Sequence, residues 1–325
     1  MKFLILKSRD PYFNLAVEEY LFLKENDDVF MLWQNEPTVV IGKNQNAYAE
    51  IKMDAVRERG IKIARRITGG GAVYHDLGNV NYSFISTREG GADIDFEYFT
   101  APIIEALAAM GIKAELSGRN DLLTGGRKFS GNAQHTVGNR TLHHGTLLFD
   151  ADLEMLSHVL EVDRSKIESK AIASVRSRVV NLSELLVEDI KVERFIEILA
   201  DFVVRKYSPE IIDTPKDQEV DRLALRNASE EWLFPQGRLL SEYSVIRKKR
   251  YDFGIVEIYL DMSNDTIEKA TVCGDFFGVG DISELESALS GVKLSYIRDK
   301  LSSLEIGDYI FGMNADTLAA LILGE

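Results

Sequence analysis

The sequence predicts a mixed α/β protein made of two domains of unequal size. The chain has 325 residues, more than a single hydrophobic core usually organises. Short strand-like runs alternate with helical patterns along most of it, and a boundary is expected between about Gly237 and Tyr251, where a small α+β pattern begins. We therefore expect a large domain over residues 1–245 and a small C-terminal domain over residues 246–325.

Local signals justify the elements of the large domain in turn. Asp10 and Pro11 suit the N-cap and first residue of a helix that runs to Lys24, and Gly111 ends an apolar helix that begins at Phe96. Glycines interrupt β-prone pieces between residues 121 and 149, which indicates hairpins. The predicted strands are 3–6, 29–33, 38–41, 61–65, 81–85 and 112–116, and the other predicted helices are 49–59, 152–162, 183–186 and 192–206.

The C-terminal residues carry a similar but shorter alternation. A basic RKKR run, residues 247–250, precedes the first of them and is typical of a solvated linker. The predicted strands are 255–260 and 267–272, and the predicted helices are 283–289, 293–301 and 315–323. These elements form the small α+β domain.

The composition describes an ordinary globular protein and excludes several classes of function. With 45% hydrophobic and 28% charged residues the chain can build an ample core, and its net charge of −14 argues against a nucleic-acid partner. Cys273 is the only cysteine, so no internal disulfide and no cysteine-rich zinc site is expected. The apolar run at residues 3–6 is too short for a signal or membrane segment. We expect no membrane association and a cytoplasmic protein.

The most informative stretch is RRITGGGAVYHDLGNVNYSFI, residues 65–85. Its glycines allow backbone N–H groups to approach an anion closely, and Arg65 and Arg66 supply positive charge to neutralise it. A Gly-rich hairpin with two solvated arginines is the alternative. The run matches neither the GxGxxG fingerprint of dinucleotide folds nor the GxxxxGK[ST] of P-loops, so a phosphate site here would be of another type.

A second group of candidates lies in GRNDLLTGGRKFSGNAQ, residues 118–134. An ammonium group at Lys128 beside small residues can hold a phosphate and a carboxylate together, although most lysines are simply solvated. Asn120 and Asp121 suit a turn, and Asp121 is also a candidate Mg²⁺ ligand.

The third group is RTLHHGTLLFD, residues 140–150, where His143 and His144 point to opposite faces of a strand. Together with His75 and His135 they lack the spacing of a zinc site. The sequence has no GxSxG motif, so nothing supports a serine hydrolase. Cys273 is expected to be a packed residue rather than a nucleophile.

Taken together, four separated segments resemble the lipoate-protein ligase A family. They are RRITGGGAVYHDLGN, NDL with GGRKFSGNAQ, HHGTLLFD, and VRSRVVNL at residues 175–182; CGDFFG near the C-terminus resembles the accessory domain of that family. The resemblance implies a catalytic domain of mixed β-sheets with helices, like that of biotin and lipoate protein ligases, plus a small α+β C-terminal accessory domain. It also implies two steps, in which lipoate and MgATP form lipoyl-AMP and pyrophosphate, and a lysine of an acceptor then takes the lipoyl group.

The resemblance also assigns site residues by position. Lys128 corresponds to the residue that touches both the α-phosphate and the lipoyl carbonyl, and Asp121 to a position near the nucleotide and Mg²⁺. The positions implied for ATP or lipoyl-AMP are Arg66, Gly71, Ala72, Val73, Tyr74, His75, Asn79, Asp121, Lys128, Ala133 and His144. An apolar tunnel for the lipoyl tail is expected to use Val73, Phe84 or Leu147.

The implied partners are ATP, lipoate and Mg²⁺, with apo lipoyl domains as acceptors: the E2 component of 2-oxoacid dehydrogenases and the H protein of glycine cleavage. Residues 247–250 offer a docking face for an acidic lipoyl domain, as an alternative to a linker. An ATP-independent octanoyl or lipoyl transferase of the same fold would need a cysteine, a biotin ligase would need a GRGRxGR-like loop, and a non-catalytic scaffold would bind the acceptor without adenylation. The sequence offers no general base for the transfer step, and it leaves octanoate use, the preferred acceptor and the oligomeric state open.

Overall fold

A computed structural model describes residues 1–88, 94–161, 178–235 and 243–325. These residues form two compact units: unit 1 comprises residues 1–40, 51–65 and 73–233, and unit 2 comprises residues 41–50, 66–72 and 234–325. The glycine-rich segment 66–72 therefore groups with the C-terminal residues. The predicted boundary region and the segment 175–182 lie partly outside the described residues, and the domain limit at residue 245 stays a prediction.

Unit 1 is built on β-strands that form an eight-stranded sheet and a three-stranded sheet. The strands are β1 Lys2–Ile5, β2 Val29–Trp33, β3 Thr38–Ile41, β4 Lys62–Arg65, β5 Val73–His75, β6 Asn79–Thr87, β7 Glu115–Ser117, β8 Asp121–Thr124, β9 Arg127–Val137, β10 Arg140–Leu148 and β11 Glu210–Ile211. The large sheet has the order β11-β1-β2-β6-β10-β9-β8-β7, and the small one the order β4-β3-β5. Successive hairpins connect β7 with β8, β8 with β9, and β9 with β10, as the glycine pattern predicts.

The helices of unit 1 pack on both faces of the large sheet and beside the small sheet. They are α1 Pro11–Lys24, α3 Met53–Glu58, α4 Phe96–Ala109, α5 Met155–Val159, α6 Val192–Tyr207, α7 Gln218–Asn227 and α8 Glu230–Leu233, while α2 Ala47–Glu50 belongs to unit 2. Helix α1 begins as predicted, because the Asp10 carboxylate accepts hydrogen bonds from the backbone N–H groups of Tyr12 and Phe13. Residues 182–185 form a 3₁₀ turn rather than an α-helix.

The two faces of the large sheet differ in chemistry. Val80, Tyr82 and Phe84 of β6 point into the main hydrophobic core, where Phe99 of α4 and Phe195 of α6 also lie. Side chains alternate along a strand, so Asn79, Asn81 and Ser83 face the other way, toward α1. This alternation places a polar surface against one helix.

Several predicted elements differ from those observed. The predicted helix 49–59 is split into α2 and α3, because Ile51 forms a β-bridge with Leu160 and the Lys52 N–H donates to the Val159 carbonyl. Of the predicted helix 152–162, the described part is helical only over α5, and residue 162 lies outside the described residues. The predicted strand 112–116 is displaced to β7, and α7 and α8 carry no counterpart among the predicted elements.

Unit 2 has its own sheet and core. Strands β12 Val245–Tyr251, β13 Gly254–Ser263 and β14 Thr266–Gly274 form an antiparallel sheet, which packs with α9 Ile282–Leu289, α10 Ile297–Ser302, α11 Ile306–Tyr309 and α12 Ala315–Leu323. Asn264 and Asp265 have φ values of 48° and 60°, which suits a tight hairpin between β13 and β14. Residues 247–250 lie within β12, so interpreting them as a linker was wrong.

In the part of the chain described here, no helix is both long and apolar enough to span a membrane.

Candidate active site

The face of the large sheet that meets α1 gathers several of the predicted site residues. His144 of β10 lies opposite Ser83 of β6 on one side and Ala133 of β9 on the other. Farther along the sheet, Gly131 of β9 lies opposite Asp121 of β8. Four neighbouring strands therefore present polar or small residues on one surface.

Lys128 and Asp121 form an ion pair at one end of this surface. The Lys128 Nζ lies 2.7 Å from Asp121 Oδ1, and the two side chains are 37% and 36% exposed. The Lys128 backbone is fixed on both sides, because its N–H donates to the Arg178 carbonyl and its own carbonyl accepts from the Val180 N–H. The pair is thus held in place while its charged groups stay accessible, as contact with an anionic substrate requires.

Gly131 leaves room for the lysine side chain. A Cβ atom at this position would lie 3.2 Å from Lys128 Nζ and 3.4 Å from its Cε. Gly131, three residues after Lys128, thereby leaves room for the ammonium group to lie against the sheet surface.

His144 belongs to a buried hydrogen-bond chain that the sequence did not predict. Its Nδ1 lies 2.9 Å from Glu18 Oε1, and the same oxygen accepts a 2.5 Å hydrogen bond from Ser83 Oγ. Trp33 Nε1 donates to Ser83 Oγ at 2.9 Å. Glu18 is 1% exposed, and an acid on the apolar side of α1 was the one available signal for it. The His144 ring is therefore oriented by a carboxylate.

His75 and Asn79 lie in an adjoining amide cluster. Asn14 Nδ2 donates to Asn35 Oδ1, which leaves Asn35 Nδ2 to donate to His75 Nδ1 at 3.0 Å. The neutral His75 ring therefore carries its proton on Nε2. Asn79 Nδ2 donates to Asn81 Oδ1, and Asn79 Oδ1 is buried without a hydrogen bond from any described residue. A buried acceptor of this kind fits a polar ligand.

The glycine-rich segment forms a closed loop within unit 2. Arg66 Nη2 donates to the carbonyls of Gly69 and Gly71, both at 2.8 Å, and Arg66 Nε donates to Thr68 Oγ1 at 3.0 Å. Gly70 has a φ of +92°, which favours glycine, and its N–H donates to the Phe276 carbonyl at 3.3 Å. Arg66 therefore braces the loop that carries it.

A Cβ atom at Gly69 would lie 2.4 Å from the Phe276 carbonyl oxygen, a distance that side-chain atoms do not tolerate. The loop thus fits closely against the CGDFFG segment, the same segment that resembles the accessory domain of the lipoate-protein ligase A family.

Arg65 does not act as an anion-binding residue. Its guanidinium is buried and donates to the backbone carbonyls of Trp232 and Leu233 at 2.9 and 2.7 Å, while Trp232 Nε1 donates back to the Arg65 carbonyl. The two adjacent arginines therefore have different roles, and the expectation that Arg65 neutralises an anion was wrong.

The remaining predicted residues are distributed over both units. Val73 and Tyr74 lie in β5, and burial raises the pKa of Tyr74 to about 12, so its hydroxyl stays protonated. Gly71 and Ala72 belong to unit 2 with Arg66. Phe84 and Leu147, expected along a lipoyl tunnel, instead lie in the main core. Cys273 is buried, which confirms its prediction as a packed residue.

The metal prediction rests on Asp121. Among the described residues, no group of three or more histidine, cysteine or acidic side chains is arranged to hold a metal ion. A single carboxylate fits Mg²⁺ that arrives with a nucleotide, because Mg²⁺ in such sites keeps waters and substrate phosphates as its other ligands.

Comparisons with known proteins indicate the same family over nearly the whole chain. A model of the lipoyl protein ligase A/B catalytic domain matches residues 10–203, and one of the bacterial lipoate protein ligase C-terminus matches residues 241–322. The lipoate-protein ligase LplJ of Bacillus subtilis (strain 168) is 40% identical over 321 residues, which span 96% of this chain and 97% of the relative.

Solved structures show the same likeness. P. falciparum LipL1 in complex with lipoate has a TM-score of 0.81 at 27% identity and covers 100% of both chains. A bi-partite lipoate protein ligase from Thermoplasma acidophilum, studied with its E2 lipoyl domain, has a TM-score of 0.63 at 27% identity, over 72% of this chain and 95% of that one. Lipoate-protein ligase A bound with ATP has a TM-score of 0.60 at 26% identity, over 72% and 98%. The chain therefore belongs to the lipoate-protein ligase family, with both its catalytic and its C-terminal regions.

Proposed function

We propose that this chain uses ATP to attach lipoate to a lysine side chain of lipoyl domains. In the first step a carboxylate oxygen of lipoate attacks the α-phosphorus of ATP, the bond to the β-phosphate oxygen breaks, and pyrophosphate leaves. In the second step the acceptor amine attacks the acyl carbon of lipoyl-AMP, an amide forms, and AMP leaves. Relatives described with lipoate, with ATP and with an E2 lipoyl domain support each of these substrates.

The accessible Lys128–Asp121 pair is the observation that carries the proposal. The first step brings two anions together, so a positive group fixed beside a small-residue surface lowers the repulsion between them. We assign Lys128 to the α-phosphate and the lipoyl carbonyl, and Asp121 to the Mg²⁺ that accompanies ATP. Their 2.7 Å separation lets the carboxylate orient the ammonium until the substrates take its place.

The other predicted residues receive supporting roles. We assign Arg66 and the backbone of residues 71–74 to the nucleotide and the adenylate. His75, Asn79, Ala133 and His144 would line the pocket, and the Glu18–His144 contact would hold the imidazole of His144 in one orientation. The proposed catalytic domain spans residues 1–245, and the accessory domain spans residues 246–325.

The transfer step needs an uncharged amine, whose unperturbed pKa is about 10.4. We propose that orientation of the amine toward a good leaving group suffices, without a dedicated base. The acceptors would be apo lipoyl domains of E2 components and the glycine cleavage H protein. The scarcity of cysteine fits a cytoplasmic reaction.

One assay tests the proposal against its alternatives. The chain is incubated with lipoate, ATP, Mg²⁺ and an apo lipoyl domain, and the acceptor is weighed by mass spectrometry. We expect the mass of a lipoyl group only when ATP is present. Modification without ATP would instead indicate a transferase, and acceptor binding without modification would indicate a scaffold.

A further inference from the structure

The first histidine of the HHG motif lies on the opposite face of the sheet from His144. His143 is fully buried, and its ring stacks on Phe99 of α4 with centroids 5.3 Å apart and an interplanar angle of 4°. Burial lowers the pKa of His143 well below its usual value, so the ring is neutral. The proposed reaction gives this residue no role.

The tautomer of His143 follows from its neighbour Gln134. Gln134 Oε1 accepts from the Asp95 N–H at 3.0 Å and Gln134 Nε2 donates to the Asp95 carbonyl at 2.9 Å, which fixes the orientation of the amide. Gln134 Nε2 also donates to His143 Nδ1 at 3.0 Å. Because Nδ1 accepts, the proton of the neutral ring is on Nε2.

The Nε2–H group of His143 points at Asn132 and Tyr82. It lies 3.3 Å from Asn132 Oδ1 and 3.2 Å from the Tyr82 hydroxyl, which itself donates to Asn132 Oδ1 at 2.5 Å. Burial raises the pKa of Tyr82, so its hydroxyl remains a donor. Two donors therefore converge on Asn132 Oδ1 and fix which way its amide faces.

The other end of the Asn132 amide reaches the residue before Asp121. Asn132 Nδ2 and the Asn132 backbone N–H both donate to the Asn120 carbonyl, at 3.0 and 2.9 Å, and Asn120 Nδ2 donates to the Asn132 carbonyl at 2.5 Å. These reciprocal bonds clamp the start of β8. Asp121 follows directly, and its carboxylate meets Lys128.

Gly145, the third residue of the motif, leaves space for this arrangement. A Cβ atom there would lie 2.2 Å from Asn132 Oδ1 and 2.5 Å from the Tyr82 ring. All three residues of HHG thus have a structural explanation: His144 faces α1, His143 orients Asn132, and Gly145 makes room for it.

We propose that Asn132, oriented by Tyr82 and His143, is a positioning residue for the Lys128–Asp121 pair in the adenylation step. It holds the Asn120 backbone, and through it Asp121, at the place where the carboxylate meets the ammonium. The inference rests on the proposed function, since it concerns the same pair. A displacement of about 1 Å at reacting groups costs on the order of 100-fold in rate, so a clamp of this kind affects catalysis without touching substrate.

The test compares Asn132→Ser with Thr136→Val. Thr136 lies on the same strand, and its hydroxyl shares a 3.0 Å buried hydrogen bond with Thr141, so the control also loses one buried polar contact of β9 and β10. Pyrophosphate release with lipoate and MgATP gives kcat and KM for adenylation, and thermal unfolding gives stability. We expect Asn132→Ser to lower kcat about 10- to 100-fold with little change in the KM for lipoate, and Thr136→Val to leave kcat within about twofold.

A double-mutant cycle with Asp121→Asn separates positioning from general loosening. If Asn132 acts through Asp121, Asn132→Ser will have little further effect on kcat once Asp121→Asn is present; fully additive losses would overturn the proposal. Should Asn132→Ser fail to fold, Tyr82→Phe, which removes one donor to Asn132 Oδ1, takes its place in the same cycle. An unmutated chain that makes no lipoyl-AMP would refute the proposed function, whereas an active chain with an unimpaired Asn132→Ser would refute this inference alone.

Discussion

Lys128 Nζ and Asp121 Oδ1 lie 2.7 Å apart on the neighbouring strands β9 and β8, and both side chains remain partly exposed. An ion pair this accessible to water contributes little to stability, typically between 0 and about 1 kcal/mol. Its position on a surface of small and polar residues is therefore better explained by function than by folding, and the two residues are open to substitution without loss of the fold.

Replacing Lys128 with alanine is expected to remove most of the adenylation activity. Loss of one preorganised positive group near a reacting phosphate typically costs at least about 100-fold in kcat. Pyrophosphate release would measure this loss, and thermal unfolding would show an intact fold. Lys113→Ala, at an exposed lysine of the same unit, is the matched control. Unchanged pyrophosphate release by Lys128→Ala would remove Lys128 from the mechanism.

Replacing Asp121 with asparagine is expected to raise the Mg²⁺ concentration needed for half-maximal adenylation. The amide keeps the size of the side chain but loses the charge that attracts a hard cation. A Mg²⁺ titration at saturating ATP would measure the shift, which we expect to be about tenfold or more. If the Mg²⁺ dependence of the variant matches that of the unmutated chain, Asp121 serves only to orient Lys128.

The sequence predicted those parts of the molecule that local signals determine. Helix α1 begins at Pro11 because Asp10 caps it, and β2 and β3 have the predicted limits. The sequence indicates both Lys128 and Asp121 as candidates, but their contact depends on the register of β8 against β9, with its irregularity after Leu122. Sequence alone does not specify such a register.

Other residues acquired meaning only through tertiary contacts. Glu18 is one of two buried acids in α1, and only the fold shows that Ser83 and His144 meet its carboxylate. Arg65 and Arg66 are chemically identical neighbours, and only the fold shows that one donates to the Trp232 carbonyl and the other to the glycine loop. Partners this distant in sequence leave no local pattern.

The two arginines therefore predict a separation of stability from activity. Arg65→Ala would leave the carbonyls of Trp232 and Leu233 without their donors inside the protein, and we expect it to cost about 2–4 kcal/mol of unfolding free energy. Arg66→Ala would remove the hydrogen bonds that hold the glycine loop. It is expected to raise the KM for ATP while lowering the melting temperature only slightly. Denaturant unfolding and adenylation kinetics of both variants would check this. A large loss of unfolding free energy in Arg66→Ala, together with a raised KM for ATP in a stable Arg65→Ala, would contradict the two roles.

Glu50 predicts a pH dependence of stability. Burial, together with the negative charges of Glu257 and Asp275, raises the pKa of Glu50 to about 7, although Lys248 and a hydrogen bond from Gln45 act in the other direction. In the unfolded chain a glutamate titrates near 4.5. Between these values the folded protein holds a proton that the unfolded chain has lost. The free energy of unfolding therefore falls as the pH rises from about 4.5 to about 7 and levels off above that.

Glu50→Gln is expected to remove this decline, because the amide carries no charge at any pH in the range. The stability of the variant relative to the unmutated chain should increase as the pH rises from 5 to 8. The increase is at most about 3 kcal/mol if the full difference in pKa is expressed. Denaturant unfolding of both proteins at the two pH values measures the gain, with Glu58→Gln at the exposed end of α3 as the control. A stability difference between Glu50→Gln and the unmutated chain that stays constant from pH 5 to pH 8 would show that Glu50 is ionised in the folded protein throughout this range.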